Sequence, residues 1–235
     1  MAKNIFNDDA AQNQGYYYTT NISLSSKFAG RRMTDVTLES LTIKSKRVLD
    51  IGCGDGTHTL ELDLFGEPKW IVAGDVADQA IKVAYNKSIG RDIHYNVNSA
   101  YELPFQDKSF DVAILRAVLH HLDDPRKALQ EALRVADMIW VIEPNGYNPG
   151  LKFNEKFSTY HIEHQEKSYA PHLLDQWTHQ LGGRILHRRW AGFVPMFCPD
   201  WLARWMKRLE PVVEHFPVIN RIGCAIYYFS AGLVE

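Results

Sequence analysis

The sequence predicts an α/β fold, a Rossmann-like, doubly wound and mostly parallel sheet with helices on both faces. Between residues 47 and 143, short runs rich in branched and aromatic residues alternate with helical patterns. Several of these runs are apolar almost throughout, which is typical of strands covered on both faces. A glycine-rich turn follows the first run, and right-handed crossovers are expected to join the elements.

The individual elements follow from local composition. Strands are expected where branched and aromatic residues cluster between turn signals, at 47–51, 69–74, 92–97, 110–115 and 138–143. Helices are expected between them, at 57–65, 77–87 and 124–136, with Pro125 in a first turn. One further helix is predicted over about 25–41. Two more strands, 184–197 and 224–231, are predicted around an amphipathic helix.

A chain of 235 residues is long enough for one large domain with its own core. We expect a single domain over residues 1–235, made of four segments. They are an N-terminal lid or cap (1–46), a cofactor-binding core (47–143), a substrate-cap insertion (144–182) and C-terminal strands with an amphipathic helix (183–235).

Composition excludes several classes of protein. With 46% hydrophobic and 23% charged residues, the chain is neither disordered nor fibrous. A net charge of −2 argues against a nucleic-acid partner, whose binding depends on neutralised phosphates. The three cysteines lack the spacing of a disulfide or zinc site, so no metal is expected. No apolar run approaches the roughly 20 residues of a spanning helix, and we expect a cytoplasmic monomer or homodimer.

The turn after the first strand is the most informative motif. Gly52, Gly54 and Gly56 alternate with other residues where a buried strand passes into a helix, so the backbone can approach a ligand closely. Asp75 ends the second strand about twenty residues later, where an acid can accept hydrogen bonds from ribose hydroxyls. The spacing predicts a nucleoside site. Asp55 lies within the turn, and its charge disfavours a dinucleotide pyrophosphate and favours a positively charged ligand.

These residues resemble the class I S-adenosylmethionine-dependent methyltransferases, and among them the small-molecule type 11 group. The turn Asp50-Ile51-Gly52-Cys53-Gly54-Asp55-Gly56 is similar to the first motif of the family, and Asp75 to its ribose-binding acid. The resemblance continues through Leu103-Pro104-Phe105, Ser109-Phe110-Asp111, Leu119-His120-His121-Leu122 and Asp124-Pro125, and covers residues 47–143.

The resemblance implies S-adenosylmethionine as cofactor and S-adenosylhomocysteine as product. The implied cofactor-binding residues are Asp50, Gly52, Cys53, Gly54, Gly56, Asp75, Val76, Ser99, Ala100, Arg116, Tyr17 and Arg31. Ser99 stands where the family has an acid, and Tyr17 belongs to the tyrosine run 16–18, which is either a lid or an ordinary docking segment. Arg31 or Arg32 either reaches the cofactor's carboxylate or belongs to a solvated helix face.

Candidate catalytic residues are few, because methyl transfer needs at most one general base. His161 and His164 lie on the insertion after the fifth strand, at a spacing that shares one helical face, and a plain surface helix explains them equally well. Arg116 ends the fourth strand, where a small residue is common in the family. A buried arginine requires a partner, and we favour an ion pair with Glu143 over an acceptor carboxylate or phosphate.

Candidate substrate-binding residues are drawn from the variable segments and strand ends. They are Tyr18, His121, Glu143, Asn145 and Tyr160. Each has a structural alternative: His120 and His121 can pack behind the fourth strand, and the residues around Pro144 and Gly146 can simply form a turn.

The segment 199–209 predicts an amphipathic helix. Trp201, Leu202, Trp205 and Leu209 share a face, with basic residues beside it. Such a helix could make peripheral contact with an anionic membrane. Core packing or a dimer contact explains the same pattern, and we favour it.

We therefore predict methyl transfer from S-adenosylmethionine to an oxygen or nitrogen of a small-molecule acceptor, aromatic, apolar or related to glycans and natural products. One alternative is a nicotinamide-dependent oxidoreductase, which the loop spacing and Asp55 oppose. Another is a partner protein that binds the cofactor without catalysis.

Overall fold

The structure, a computed structural model, describes residues 2–20, 23–157, 167–196 and 198–233. Its centre is a seven-stranded sheet in the order β3-β2-β1-β4-β5-β7-β6. The strands are β1 (Arg47–Ile51), β2 (Trp70–Asp75), β3 (Ile93–Val97), β4 (Phe110–Arg116), β5 (Ala136–Pro144), β6 (Gly183–Ala191) and β7 (Ile226–Leu233). Strands β1 to β5 are parallel, and β7 is antiparallel to both β5 and β6. The predicted fold class is confirmed.

Helices cover both faces of this sheet. They are α1 (Ala2–Asn13), α2 (Tyr17–Thr20), α3 (Leu24–Ser40), α4 (Thr57–Gly66), α5 (Asp78–Lys87), α6 (Pro125–Val135), α7 (Pro149–Phe157), α8 (Pro171–Gln180), α9 (Asp200–His215) and α10 (Pro217–Gly223). A short 3₁₀ turn spans Leu119–His121. The signals used to predict α6 are present, since Pro125 occupies its first turn and the Asp124 side chain caps it.

The strands alternate between two hydrophobic clusters, one on each face. In β4, Val112 and Ile114 pack with α3 and α4, whereas Ala113 and Leu115 pack with α6 and α8. This alternation with a period of two is the reason that the strands are apolar on both sides. The last residue of β4, Arg116, falls on the α3 face.

Two differences from the predicted elements have clear causes. Helix α1 was not predicted, because it is largely polar; it is held by packing of Ala10 against Ala77 and Ala80 near the start of α5. The strand predicted over 184–197 ends at Ala191, where Gly192 adopts a positive φ of 81° and Pro195 follows.

Candidate functional site

The glycine turn lies at the carboxyl edge of β1. Gly52, Gly54 and Gly56 have φ values of 72°, 56° and 72°, which an L side chain rarely adopts. The backbone N–H groups of Gly52 and Cys53 both donate to the Gly74 carbonyl, at 2.8 and 3.0 Å. A Cβ atom on Gly52 would overlap Val118. The glycines are therefore required both by the turn and by the close approach of its neighbours.

Asp75 ends β2 directly beside this turn, as predicted. One carboxylate oxygen accepts from the Gly54 N–H and the other from the Ala77 N–H, both at 2.9 Å. Burial raises the pKa of the carboxyl, and the two backbone donors oppose that rise. Asp75 thus joins the glycine turn to the beginning of α5, and each oxygen keeps a lone pair for a further donor.

The ends of β2 and β3 carry the groups predicted beside a nucleoside base. Val76 follows Asp75 and is partly exposed, and Ser99 and Ala100 follow β3 and are half-buried. Asn98, which the sequence analysis passed over, packs against Gly74, and its Nδ2 atom is buried without a hydrogen-bond partner in the described part of the chain. An orphaned amide between a glycine cradle and a ribose-type acid fits the nucleoside part of S-adenosylmethionine.

Asp55 does not face a ligand, so the inference from its charge was wrong. The carboxylate is 1% exposed and pairs with Lys87 Nζ at 2.8 Å. It also accepts from the Tyr16 N–H at 3.1 Å and from the Thr19 hydroxyl. These bonds hold its pKa below the usual range despite burial, which acts in the opposite direction. Asp55 therefore fastens residues 15–19 to the glycine turn.

Of the three adjacent tyrosines, Tyr16 is the one that lies over the glycine turn. Its ring is so close to Gly54 that a Cβ atom there would be 2.5 Å from Tyr16 Cε2. Tyr17, predicted to contact the cofactor, is 41% exposed, and its ring packs edge-on against Tyr18, the predicted substrate contact. The N-terminal segment does lie over the turn, but through a different residue, whose ring would have to shift for a ligand to reach Gly54.

Arg116 does not pair with Glu143, contrary to the favoured prediction. Its guanidinium donates to the Thr34 hydroxyl at 2.9 Å and to the Gly30 carbonyl at 3.0 Å, both on α3. No carboxylate of the described residues lies within ion-pair distance of it. Burial lowers the pKa of Arg116 to about 10, so the group remains cationic at neutral pH.

His58, in the first turn of α4, is a candidate that the sequence analysis missed. Its ring lies near Gly30, and its Nδ1 is 3.3 Å from a carboxylate oxygen of Glu61. Burial, together with the positive charge of Arg116, lowers the pKa of His58 to about 4. The imidazole is therefore neutral at pH 7. Only its place after the glycine turn could have marked it in the sequence.

Glu143 and Asn145 do not line the rim of the site, so their predicted substrate contacts are wrong. Glu143 is 1% exposed and accepts from the N–H groups of Val118 and Leu119, while its other oxygen lies 2.7 Å from His120 Nδ1. Asn145 is fully buried, and its amide donates to the carbonyls of Arg221 and Cys224. The polar groups of both side chains are therefore engaged in hydrogen bonds within the protein and do not face a substrate.

The remaining predicted residues divide among three outcomes. His121 stacks edge-on against Phe6 of α1, at 5.1 Å between ring centroids, which places it beside the N-terminal segment. Arg31 pairs with Asp35 and lies over the Phe65 ring, so it belongs to the solvated helix face and does not reach the turn. Tyr160, His161 and His164 lie outside the described residues.

The Cys53 thiol in the glycine turn is not a reactive one. Burial raises the pKa of Cys53 well above its ordinary value, so the sulfur stays protonated. Among residues 2–20, 23–157, 167–196 and 198–233, no three His, Cys, Asp or Glu side chains come together as metal ligands. Over the same ranges, no helix is long and apolar enough to cross a bilayer.

Asp50 supports the turn from below. It is 4% exposed and accepts from the Thr59 hydroxyl of α4 at 2.6 Å. Burial raises the pKa of its carboxyl to about 6. Between about pH 4 and 6, the folded protein therefore keeps a proton on Asp50 that the unfolded chain has already released. The free energy of unfolding therefore falls as the pH rises through that window.

We expect Asp50→Asn to remove this dependence and to stabilise the protein at pH 7, by at most about 3 kcal/mol at 1.36 kcal/mol per pKa unit. The amide oxygen can still accept from Thr59. Urea denaturation at pH 4, 5, 6 and 7 measures the effect. Asp111→Asn is the matched control: pairing with Arg47 lowers the pKa of that carboxyl, so its loss should destabilise the protein at pH 7. Equal stability of wild type and Asp50→Asn at pH 7 would contradict the assignment.

Comparison with known proteins agrees with this geometry. Residues 49–138 match the family model described as a methyltransferase domain. A demethylmenaquinone methyltransferase of Clavibacter sepedonicus is 33% identical over 94 residues, covering 40% of this chain and 38% of the relative. A ubiquinone/menaquinone biosynthesis C-methyltransferase of Vibrio vulnificus is 30% identical over 115 residues, covering 47% and 42%. The chain spans about two fifths of the length of these curated relatives.

Solved structures resemble the whole fold. A chain from the complex between the Haloferax volcanii Trm112 methyltransferase activator and a methyltransferase superposes with a TM-score of 0.74 at 14% identity, covering 100% of this chain and 98% of that one. A Thermotoga maritima methyltransferase, described as a possible histamine N-methyltransferase, gives 0.71 at 16% identity and 99% coverage of both chains. At these identities the likeness concerns the fold. Residues 49–138 are thus similar to a methyltransferase domain, and the sheet order and glycine turn around them are those expected of the class I S-adenosylmethionine-dependent methyltransferases.

Proposed function

We propose that the chain transfers a methyl group from S-adenosylmethionine to a small-molecule acceptor. The observation that carries this proposal is the juxtaposition of the glycine turn, the Asp75 carboxylate and the orphaned Asn98 amide at one edge of the sheet. Oxygen and nitrogen are candidate acceptor atoms from the sequence. Carbon joins them, because the curated relative from V. vulnificus is named a C-methyltransferase.

The residues that would hold the cofactor follow from their positions. The backbone of Gly52–Gly56 would receive the methionyl part, Asp75 the ribose hydroxyls, and Val76 with Asn98 the base. When bound, S-adenosylmethionine supplies a methyl group that its sulfonium already makes electrophilic. The protein has to hold the acceptor in line with that methyl group at near-attack distance, which can supply about 7–11 kcal/mol of the barrier. Tyr16 and His121, whose rings both pack against Phe6 of α1, would help to exclude water.

Calorimetric titration with S-adenosylmethionine, S-adenosylhomocysteine and NAD tests the cofactor. We expect the first two to bind and NAD to give no heat. Binding of NAD alone would overturn the proposal in favour of an oxidoreductase. Transfer of labelled methyl to a panel of quinols, phenols and amines then tests catalysis, and cofactor binding without transfer to any acceptor would favour a non-catalytic partner protein.

Arg116 is proposed to bind the carboxylate of the methionyl group. Two of its five N–H donors are used by Thr34 and Gly30, and three remain for a ligand. The charge of Arg116 acts on both Asp50 and His58, which flank the glycine turn on either side. A cation in this position, without a carboxylate partner in the described chain, suits an anionic group held by two parallel hydrogen bonds.

We expect Arg116→Gln to weaken S-adenosylmethionine binding by about tenfold or more, since charge-assisted hydrogen bonds are worth about 1.5–3 kcal/mol. Decarboxylated S-adenosylmethionine provides the control, because its affinity should be the same for wild type and variant. Melting temperatures must be compared, as Arg116 also ties β4 to α3. If the variant loses the same affinity for both ligands, Arg116 contacts another part of the cofactor and not its carboxylate. If it loses affinity for neither, Arg116 does not bind the cofactor, and the acceptor becomes its candidate ligand.

A further inference from the structure

The last two helices present large apolar side chains to solvent. Trp201 and Trp205 of α9 are 72% and 55% exposed, so this face does not pack into the core of the chain, and of the two favoured explanations only the dimer contact stays a prediction. They belong to a set of seven exposed apolar residues between positions 200 and 223, namely Trp201, Trp205, Val212, Phe216, Val218, Ile219 and Ile222. We call this set, with the exposed arginines described next, the α9–α10 surface. Exposed apolar residues gathered in this way mark an interaction site.

Three arginines of α9 and α10 face solvent, whereas two glutamates of α9 face the interior of the protein. Arg204, Arg208 and Arg221 are exposed among the apolar residues. The carboxylates of Glu210 and Glu214 point inward: Glu210 accepts from the Phe193 N–H at 3.1 Å, and Glu214 accepts from the Gly192 N–H at 2.9 Å and pairs with Arg32. On an ordinary surface helix the apolar residues face the core and both charge signs face solvent. Here Glu210 and Glu214 are turned inward, Asp200 at the start of α9 is an exposed acid, and aromatic and cationic groups are presented together along the rest of the face.

This arrangement specifies the chemistry of what would cover it. Tryptophan combines an apolar ring with a polar N–H and prefers the boundary between headgroups and hydrocarbon. Arginine binds phosphate oxygens in bidentate fashion. A helix with both features, lying flat, is the form in which proteins bind bilayer surfaces. Since the whole chain carries −2, attraction to an anionic bilayer has to come from this local surface.

We propose that the α9–α10 surface docks on an anionic lipid bilayer, with the aromatic and aliphatic side chains inserted at the interface and the arginines on lipid phosphates. This surface is separate from the glycine turn and does not depend on the acceptor. Helix α9 packs on α3, and α3 accepts the hydrogen bonds that the Arg116 side chain donates. Docking would therefore place the substrate side of the sheet close to the membrane.

Vesicle flotation tests the proposal, with the full chain and no cofactor. We expect the wild type to float with phosphatidylcholine–phosphatidylglycerol vesicles and to bind phosphatidylcholine alone more weakly. Trp201→Ala/Trp205→Ala should reduce partitioning by at least about tenfold, because buried apolar area drives interfacial binding. Arg204→Glu/Arg208→Glu should abolish the preference for anionic lipid. The matched control is Tyr85→Ala/Ile89→Ala, which removes two equally exposed apolar residues near α5 and should float as the wild type does.

The outcomes separate lipid from protein. All four residues of the α9 variants are exposed, so unchanged melting temperatures are expected and should be checked. No flotation of the wild type, or equal flotation of the tryptophan variant, would overturn the proposal. So would a concentration-dependent dimer that the tryptophan variant abolishes without any vesicle binding, since the surface would then join two copies of the chain.

Discussion

Replacing Asp75 with asparagine is expected to weaken S-adenosylmethionine binding by at least about 100-fold. A carboxylate that accepts from two ribose hydroxyls loses charge-assisted hydrogen bonds worth about 1.5–3 kcal/mol each when it is neutralised. In the structure the same carboxylate accepts from the Gly54 and Ala77 N–H groups, so the substitution also presents an N–H₂ group to one backbone donor. Both effects act on the turn that would cradle the cofactor. Calorimetry at neutral pH measures the loss.

The control has to separate charge from folding. Asp92→Asn changes an exposed carboxylate at the opposite end of β3, whose partner is His94 at 3.3 Å, and should leave the affinity unchanged. Melting curves of the Asp75 variant show whether the turn has loosened the whole fold. An affinity within about threefold of wild type would rule out Asp75 as the ribose acid, since that change is only about 0.6 kcal/mol.

Much of the core could be predicted from sequence because its signals are local. The strand β1 was predicted residue by residue, and the glycine turn with Asp75 was found where the structure places it. Branched residues between turn signals and glycines at strand ends depend only on neighbours in the chain. Helix α1 lacks such a signal: its position is decided by small residues that fit against α5, a contact between elements about seventy residues apart.

The site residues were harder, because being at the end of a strand does not tell which face a side chain occupies. Arg116 stands opposite Ile142 in the register of β4 and β5, so these two side chains share the α3 face. Glu143 follows Ile142 and must point to the other face. The predicted pair Arg116–Glu143 is therefore excluded by the sheet itself. A register between parallel strands depends on the whole fold and cannot be derived from either strand alone.

The same limit applies to the charge of Asp55. An acid in a nucleotide-type loop was interpreted as facing the ligand, and only the folded chain brings Lys87 from α5 within 2.8 Å of it. Tyr16, with its ring over Gly54, was hidden in a run of three tyrosines whose directions a sequence cannot distinguish. The N-terminal segment is thus fastened to the glycine turn by residues whose partners are distant in the chain.

Glu143→Ala is expected to lower the free energy of unfolding by about 3–5 kcal/mol, the cost of breaking a buried charged network. The carboxylate accepts from the Val118 and Leu119 N–H groups at 2.9 and 2.7 Å and lies 2.7 Å from His120 Nδ1. Its removal leaves three buried polar groups without this partner. For a chain of this size the melting temperature should fall by roughly 10 °C. Glu102→Ala, on the exposed surface, is the control and should change it little.

Glu143→Gln separates the acceptor from the charge. Its amide oxygen can still accept from Val118 and Leu119, so the loss of stability should be smaller than for alanine. These N–H groups follow Ala117, which has a positive φ of 55°, a conformation that costs a non-glycine residue about 1–2 kcal/mol and needs support from its neighbours. Val118 also closes against Gly52. Cofactor affinity and stability should therefore both fall slightly in Glu143→Gln and further in Glu143→Ala. If Glu143→Ala melted at the temperature of the wild type, Glu143 would not be needed to hold this turn.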